Sequence, residues 1–144
     1  MPIDFQVTVD AARPHDLADW WAQALGWEVE PSDESFIRQM IAQGYATDDE
    51  TIVHRGALVW ATGAAIVHPD GRASGRSRVL FQAVPEPKTV KNRVHLDLRS
   101  GAEGVEAVVA RLAARGATEL HRGHEGPHEW VTMADPEGNE FCVS

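Results

Sequence analysis

Two residues in the segment 94–98 have side chains that can do acid–base chemistry together. His95 and Asp97 are separated by one residue in a run that alternates polar and apolar side chains, the pattern of a β-strand. Because side chains two apart on a strand share a face, the Asp97 carboxylate can orient the His95 imidazole. The pair is therefore predicted to act as a general base or, alternatively, to be a structural pair whose hydrogen bonds stay within the sheet.

Three further histidines lie close together at His121, His124 and His128. Their spacing of three and four residues is that of metal ligands on a helix. Two glycines and a proline stand between them, however, and exclude a stable helix. The segment is therefore predicted to be a solvated or lid-like loop rather than a metal site.

Cys142 is the only cysteine of the chain, which excludes an intrachain disulfide and a zinc cluster of several cysteines. A thiol can also act as a nucleophile, but no histidine adjoins Cys142 in the sequence. A buried and inert thiol is the favoured interpretation.

Composition limits the class of protein. The 144 residues are 43% hydrophobic and 24% charged, which is typical of a globular domain with its own core. The net charge of −9 argues against a nucleic-acid or anionic-membrane partner. No apolar run reaches the roughly 18 residues of a membrane span. The first ten residues lack the basic and apolar parts of a signal peptide, so a cytoplasmic protein is expected.

The elements that would position these side chains repeat along the chain. Each half is predicted to contain a strand, a helix and three further strands, in the order βαβββ. The elements of the first half are a strand at 5–9, a helix at 14–26 and strands at 27–30, 64–67 and 79–82. Those of the second half are a strand at 94–98, a helix at 105–116 and strands at 117–121, 130–133 and 139–142.

The first half is longer because it contains an insertion. A helix is predicted near 32–43, with Ser32 as its N-cap, followed by a strand pair at 51–54 and 57–61. The inserted helix has an apolar face of four residues, Phe36, Ile37, Met40 and Ile41. That face is too large to remain exposed, so it is expected to cover the sheet edge, the mouth of a cleft or a second subunit.

Three segments, 9–26, 92–98 and the Asp-Pro-Glu-Gly turn region 135–141, resemble the vicinal oxygen chelate superfamily, in its glyoxalase-like and bleomycin-resistance-like branch. The resemblance implies an α+β fold in which the curved mixed sheets of two βαβββ modules enclose a cleft for a small ligand. It implies one domain over 1–144, with module one at 1–84 and module two at 92–144. Members are commonly dimers, so a homodimer is expected.

The resemblance also implies four positions for the ligands of one divalent metal: Gln6, Gln82, His95 and Cys142. Gln6 and His95 suit the family pattern, whereas Gln82 and Cys142 replace carboxylates that a hard cation needs. A metal cofactor is therefore possible but disfavoured, and no metal ligands are assigned.

Alternation along the strands extends this site to a pocket. The predicted pocket residues are Gln6, Thr8, Trp60, Gln82, His95, Trp130 and Cys142. The predicted catalytic candidates are His95, Asp97 and Glu140. Glu140 is a possible ligand or acid, or a surface residue at a strand end. Trp60 and Trp130 are equally compatible with an aromatic pocket wall and with the core.

Three functions are compatible with these residues. The favoured one is a glyoxalase-like protein that binds a small organic molecule, a drug or metabolite, with catalysis left open. The alternative is a metal-dependent lyase, isomerase or dioxygenase of the vicinal oxygen chelate type. A module that binds a protein partner through the inserted helix is the third.

Overall fold

The structure is a computed structural model that describes residues 1–71 and 78–144. The chain divides into two compact units, Met1–Pro85 and Glu86–Ser144, and the boundary lies in the proline-containing link at 84–88. Each unit combines a helix with a mixed sheet, so the fold is α+β as predicted. Within the two described ranges, none of the helices has the length and apolar composition of a membrane span.

The first unit contains a four-stranded sheet and a separate hairpin. Its elements are β1 (Val7–Ala11), α1 (Pro14–Leu25), β2 (Glu28–Val29), α2 (Glu34–Ala42), β3 (Thr51–His54), β4 (Ala57–Trp60), β5 (Gly63–Val67) and β6 (Val79–Ala83). The sheet order is β1-β6-β5-β2, in which β1 is parallel to β6 and the other pairs are antiparallel. β3 and β4, the predicted inserted pair, form their own two-stranded sheet.

Helix α1 forms where the sequence predicts it. Pro14 occupies its first residue, where a missing N–H costs nothing, and Gly26 ends it with a φ of +68°. The apolar stripe of the helix packs against β5 and β6. Trp20 and Trp21 are 7% and 4% exposed, so both belong to the core.

Helix α2 begins later than predicted. Its N-cap is Asp33, whose side chain accepts a hydrogen bond from the Phe36 backbone N–H at 3.0 Å, so the assignment of this role to Ser32 is wrong. Both residue types can cap a helix, and the register of the first turn selects Asp33. α2 packs against β4, with Ile37 1% exposed and Phe36 50% exposed.

The second unit repeats the sheet order of the first. Its elements are β7 (Asp97–Leu98), α3 (Val105–Ala114), β8 (Thr118–Glu125), β9 (His128–Ala134) and β10 (Glu140–Val143). The sheet order is β7-β10-β9-β8, with β7 parallel to β10. When the inserted pair β3–β4 is left out, the strands of both units have the same order: the first pairs with the last, the last with the third, and the third with the second. The predicted repeat is present in the strand pairing itself.

The prediction of a loop for the segment with three histidines is wrong, because this segment belongs to a long β-hairpin. β8 and β9 are joined by Gly126 and Pro127, and Gly126 has the positive φ of +57° that a first turn position requires. The glycines and proline exclude a helix but suit this turn. β10 pairs with β9 only from Val131 to Ala134. Nearer the turn, β8 and β9 pair with each other and β10 does not extend to them.

Candidate functional site

One face of the β7-β10-β9-β8 sheet forms a pocket of about 440 Å³. Every lining residue belongs to the second unit. β10 contributes Glu140 and Cys142, Ser144 follows β10, and β9 contributes His128, Trp130 and Thr132. The remaining lining residues are Lys91, His95, Asp97, His121, Glu125 and Phe141. Five of the twelve lining residues were predicted as pocket or catalytic residues: His95, Asp97, Trp130, Glu140 and Cys142.

Alternation along the strands explains this face. On β10, Cys142 is half-buried at the pocket, while its neighbours Phe141 and Val143 are 1% and 0% exposed. On β9, Thr132 lies between Val131 and Met133, which are 2% and 0% exposed. Helix α3 packs on this same sheet. One face therefore carries the core and the other carries the polar side chains, as a ligand site requires.

His95, Asp97 and Cys142 converge in the pocket. The Nδ1 atom of His95 lies 2.8 Å from Oδ1 of Asp97. Cys142 is in register with Asp97 on one side and with Thr132 on the other, and its Sγ lies 3.4 Å from Oγ1 of Thr132. A ring nitrogen, a carboxylate oxygen and the Sγ atom all lie within 4.8 Å of one another.

Glu140 lines the same pocket, but its carboxylate is occupied. It accepts hydrogen bonds from the Asn92 backbone N–H and from Nζ of Lys88, each at 3.0 Å. Burial raises the pKa of the carboxyl, but these hydrogen bonds outweigh burial and lower the pKa to about 2. A carboxylate that is ionised at neutral pH has no proton to donate. The environment of Glu140 therefore favours a structural role over that of a general acid.

Trp130 forms an aromatic wall on the hairpin. Its ring centroid lies 5.8 Å from that of His128, with the two planes at 37°. Gly123 is in register with Trp130, and a Cβ at Gly123 would lie 2.5 Å from a ring carbon of the indole. Trp60 belongs to β4 of the first unit and does not line this pocket. Its carbonyl accepts a hydrogen bond from Nε2 of His15 at 2.7 Å.

Besides Trp60, three predicted pocket residues lie in the first unit: Gln6, Thr8 and Gln82. Oε1 of Gln6 accepts a hydrogen bond from Nη1 of Arg78 at 3.1 Å. Thr8 on β1 and Gln82 on β6 are exposed, and Gln82 is in register with Asp10. None of the three lines the pocket of the second unit, so their ligand-binding role stays a prediction.

Seven lining residues were not predicted from the sequence: Lys91, His121, Glu125, His128, Thr132, Phe141 and Ser144. The sequence does contain a signal for His121, Glu125 and His128. His121 and Glu125 lie an even number of residues apart on β8, and His128 lies two residues from Trp130 on β9, so each pair shares a strand face. The Gly-Pro pair was interpreted as a helix breaker and not as a hairpin turn. Without a turn at Gly126 and Pro127, the flanking segments are not recognised as two strands, and their alternating side chains are not assigned to a common face.

A second cluster, also not predicted, lies within the first unit. Oδ2 of Asp19 on α1 lies 2.7 Å from Nε2 of His54 and 2.9 Å from Nε of Arg55. The His15 ring centroid lies 5.1 Å from that of His54. These contacts connect α1 to the β3–β4 hairpin across 35 residues of sequence.

Residues 6–144 match the sequence model of the glyoxalase-like domain family. The match covers nearly the whole chain, and the protein belongs to this family. A search of the curated proteins found no relative that matches the sequence.

Solved structures of the vicinal oxygen chelate type share the fold. A glyoxalase/bleomycin resistance protein/dioxygenase family enzyme from Burkholderia phytofirmans superposes with a TM-score of 0.61 at 15% identity, covering 96% of this chain and 94% of that one. A possible glyoxalase from Bacillus cereus gives 0.59 at 12%, covering 96% and 94%. A mutant of the fosfomycin resistance protein FosX from Listeria monocytogenes, complexed with Mn(II) and a dihydroxypropylphosphonic acid, gives 0.63 at 9%, covering 99% and 91%. At these identities the likeness defines the fold alone.

This fold type implies a divalent metal, so the donor atoms of the pocket are relevant. His95, Asp97 and Cys142 offer an imidazole, a carboxylate and a thiol, a set that suits Zn²⁺ better than Mg²⁺ or Mn²⁺. Asp97 supplies a carboxylate beside Cys142, one of the two positions at which the family pattern has a carboxylate and this chain does not. The three residues fit zinc with one ligand position left open.

Proposed function

We propose that this protein binds a small organic molecule in the pocket of the second unit. The observation that carries the proposal is the pocket itself, about 440 Å³ in volume, with the Trp130 indole on one wall and the His95–Asp97–Cys142 cluster on another. Ligand sites commonly have volumes of roughly 300–1,000 Å³, apolar walls and a few convergent polar groups. An indole wall favours a planar ligand, and the polar cluster favours one that carries oxygen or nitrogen.

A binding titration tests this function. The probes are catechol, quinoline and 4-hydroxybenzaldehyde, and binding is followed by protein-observed NMR. We expect saturable binding of at least one probe, with shifts on β9 and β10. Trp130→Ala should weaken that binding by about tenfold, the equivalent of about 1.4 kcal/mol, because the stacking surface is lost.

The matched control is Trp27→Ala, which removes an indole of the first unit that contacts His68 and lies outside the pocket. It should leave probe affinity unchanged. Absence of saturable binding by all three probes, or equal losses in the two variants, would contradict the proposal.

The zinc-compatible donors favour a second candidate, a metal-dependent lyase, isomerase or dioxygenase. Zinc held by His95, Asp97 and Cys142 would supply Lewis-acid polarisation of a ligand oxygen. In that case Asp97 and His95 would be occupied as ligands, and the remaining pocket histidines, His121 and His128, would orient the ligand. Metal content after purification separates the two candidates, because the first requires none and the second requires about one equivalent.

We also propose that the protein is a cytoplasmic homodimer. A reducing compartment keeps Cys142 as a free thiol. Phe36 on α2 is 50% exposed and Tyr45 just after the helix is 79% exposed, which leaves apolar surface for a second copy. Sedimentation equilibrium checks the mass, and a monomer at micromolar concentration would contradict this part of the proposal.

A further inference from the structure

Strand β3 (Thr51–His54) of the inserted hairpin pairs on one side only within residues 1–71 and 78–144, where its single strand partner is β4. A strand edge without a partner readily pairs with another strand, and proteins commonly block such edges with lysine, proline or a bulge. The four residues of β3 are Thr-Ile-Val-His, and their register with β4 is regular, so β3 has none of these blocks. Its outer edge can accept a further strand.

The outer edge presents backbone hydrogen-bonding groups at Val53. β3 and β4 are joined by the two-residue turn Arg55 and Gly56, whose φ values of +50° and +81° are those of a tight hairpin turn. Hydrogen-bonded and non-hydrogen-bonded pairs alternate away from such a turn, and the bond from the Ala61 N–H to the Glu50 carbonyl follows this alternation. By the same alternation, the N–H and C=O of Val53 point away from β4.

The side chains along this edge are apolar and exposed. Val53 is 70% exposed and Ile52 is 42% exposed. The residues opposite them on β4, Leu58 and Val59, are half-buried and 7% exposed, respectively. Each apolar row of the hairpin therefore ends at an exposed β-branched side chain on β3. A strand added at this edge would continue both rows and cover them.

The two ends of β3 carry opposite charges. The segment before the strand, Asp48–Glu50, consists of three exposed acidic residues. Arg55 follows the strand, and its side chain is 70% exposed although its Nε contacts Asp19. Two copies of β3 that run antiparallel bring the acidic end of each strand beside Arg55 of the other. The edge is therefore complementary to itself in charge as well as in hydrogen bonding.

Contacts within the first unit hold the hairpin in position. Oδ2 of Asp19 on α1 lies 2.7 Å from Nε2 of His54 and 2.9 Å from Nε of Arg55. Both contacts lie at the turn end of β3. An edge that is already ordered loses little conformational freedom when it pairs, which favours association.

We propose that β3 pairs antiparallel with β3 of a second copy of this chain, with the two Val53 residues beside the two-fold axis. The inference rests on the proposed homodimer and names its interface. The hairpins of the two copies form one continuous sheet in the order β4-β3-β3-β4. Because the contact uses the same strand edge of both copies, it closes at two subunits.

Sedimentation equilibrium of Val53→Lys tests the interface. The substitution places two lysines beside the axis and should raise the dissociation constant of the dimer by about tenfold or more. The matched control is Val90→Lys, because Val90 is also an exposed valine, at 76%, and lies outside the first unit. It should leave the dissociation constant unchanged. Circular dichroism spectra like that of the wild type exclude misfolding. A wild-type dissociation constant in Val53→Lys, or equal losses in the two variants, overturns the inference.

A charge exchange tests the antiparallel direction. Arg55→Glu and Asp49→Lys should each weaken their own dimers by about tenfold, because each replaces two attractions with two repulsions. An equimolar mixture of the two variants should dimerise more tightly than either alone, because every acidic side chain again meets a basic one. A mixture that associates no better than the separate variants overturns the antiparallel pairing. Val53→Lys carries the test if Arg55→Glu, which also loses the contact with Asp19, does not fold.

Amide exchange separates this inference from the proposed homodimer. The Val53 N–H should exchange at least about tenfold more slowly in the dimer than after dilution to the monomer. The Ile52 N–H, which faces β4 in both states, is the control and should change little. If the chain dimerises and exchange at Val53 does not change, the homodimer stands and the β3 interface is wrong. A chain that stays monomeric at all concentrations contradicts both.

Discussion

Trp130 lies directly over Gly123 in the β8–β9 hairpin, so closely that a Cβ at position 123 would lie 2.5 Å from the indole ring. The indole uses the space that the absent side chain leaves. The position of the aromatic wall is therefore determined from the opposite strand. It depends on Gly123 as much as on Trp130.

Gly123→Ala is expected to displace the Trp130 ring from its place in the pocket. The added methyl group overpacks the contact, which costs about 1–3 kcal/mol in stability and weakens binding of the catechol and quinoline probes. Urea unfolding and NMR titration measure the two effects. His124→Ala, an exposed neighbour that does not line the pocket, is the control. Equal probe affinity in Gly123→Ala and wild type would show that the indole tolerates the change.

The hydrogen bonds of Glu140 should make the stability of the protein depend on acid pH. The folded pKa of about 2 lies below the ordinary value of 4.5, so this stabilisation is complete above pH 4.5 and is lost as the pH falls from about 4.5 to about 2. Glu140→Gln should lower the free energy of unfolding by about 1–3 kcal/mol at neutral pH, and by less as the pH falls from about 4.5 to about 2. Urea unfolding against pH measures the difference. A difference that stays constant from pH 7 to pH 2 would contradict this account, and the exposed Glu129→Gln serves as control.

Asp19 should anchor the β3–β4 hairpin to α1. Its carboxylate contacts both His54 and Arg55 and is 18% exposed, so Asp19→Asn should destabilise the protein by about 1–3 kcal/mol. Asp16 is a matched control, because its carboxylate is 63% exposed and lies 3.8 Å from His54. Asp16→Asn should change stability by less than about 0.5 kcal/mol. Thermal unfolding of both variants checks the contrast, and equal melting temperatures would count against the anchor.

Substitutions on the two faces of α2 should have different effects, one on the stability of the fold and the other on association. Ile37 is 1% exposed, and Ile37→Ala should cost about 2–5 kcal/mol in stability. Phe36 is 50% exposed, and Phe36→Ala should leave monomer stability within about 0.5 kcal/mol while weakening the proposed homodimer. Urea unfolding and sedimentation equilibrium measure the two quantities. Wild-type dimer mass in Phe36→Ala at all concentrations would remove α2 from the interface.

A chelator should leave the melting temperature of the purified protein nearly unchanged if the binding function is correct. A metal present at 100 times its dissociation constant stabilises a protein by about 2.7 kcal/mol, so its removal lowers the melting temperature by several degrees. Differential scanning calorimetry with and without EDTA measures the shift. A drop of that size, restored by Zn²⁺, would favour the metal-dependent alternative and the ligands His95, Asp97 and Cys142.

Local patterns in the sequence were sufficient for α1, for α3 and for one face of the site, but β7 covers only Asp97–Leu98 of the strand predicted at 94–98. The stripe of α1 follows helical periodicity, and the positions of Asp97 and Cys142 follow strand alternation, because both patterns involve neighbours in sequence. The predicted repeat is confirmed by the same strand order in each unit.

Contacts between distant residues were not accessible in this way. Glu140 and Lys88 are 52 residues apart, and Asp19 and His54 are 35 apart, so no local pattern announces either pair. The hairpin was missed for a different reason. Gly126 and Pro127 exclude a helix equally well in a loop and in a tight turn, and only the pairing of the flanking strands decides between them.

The outer part of the β8–β9 hairpin has a consequence for how ligand occupancy can be observed. Residues 128–130 pair with β8 but not with β10, and an isolated two-stranded ribbon is marginally stable in water. Backbone amides there should exchange with solvent deuterium by local opening, well before those of Val131 to Ala134. A ligand that packs against Trp130 should stabilise this ribbon against local opening. Slowed amide exchange near the turn would then report binding even when the ligand gives no signal of its own.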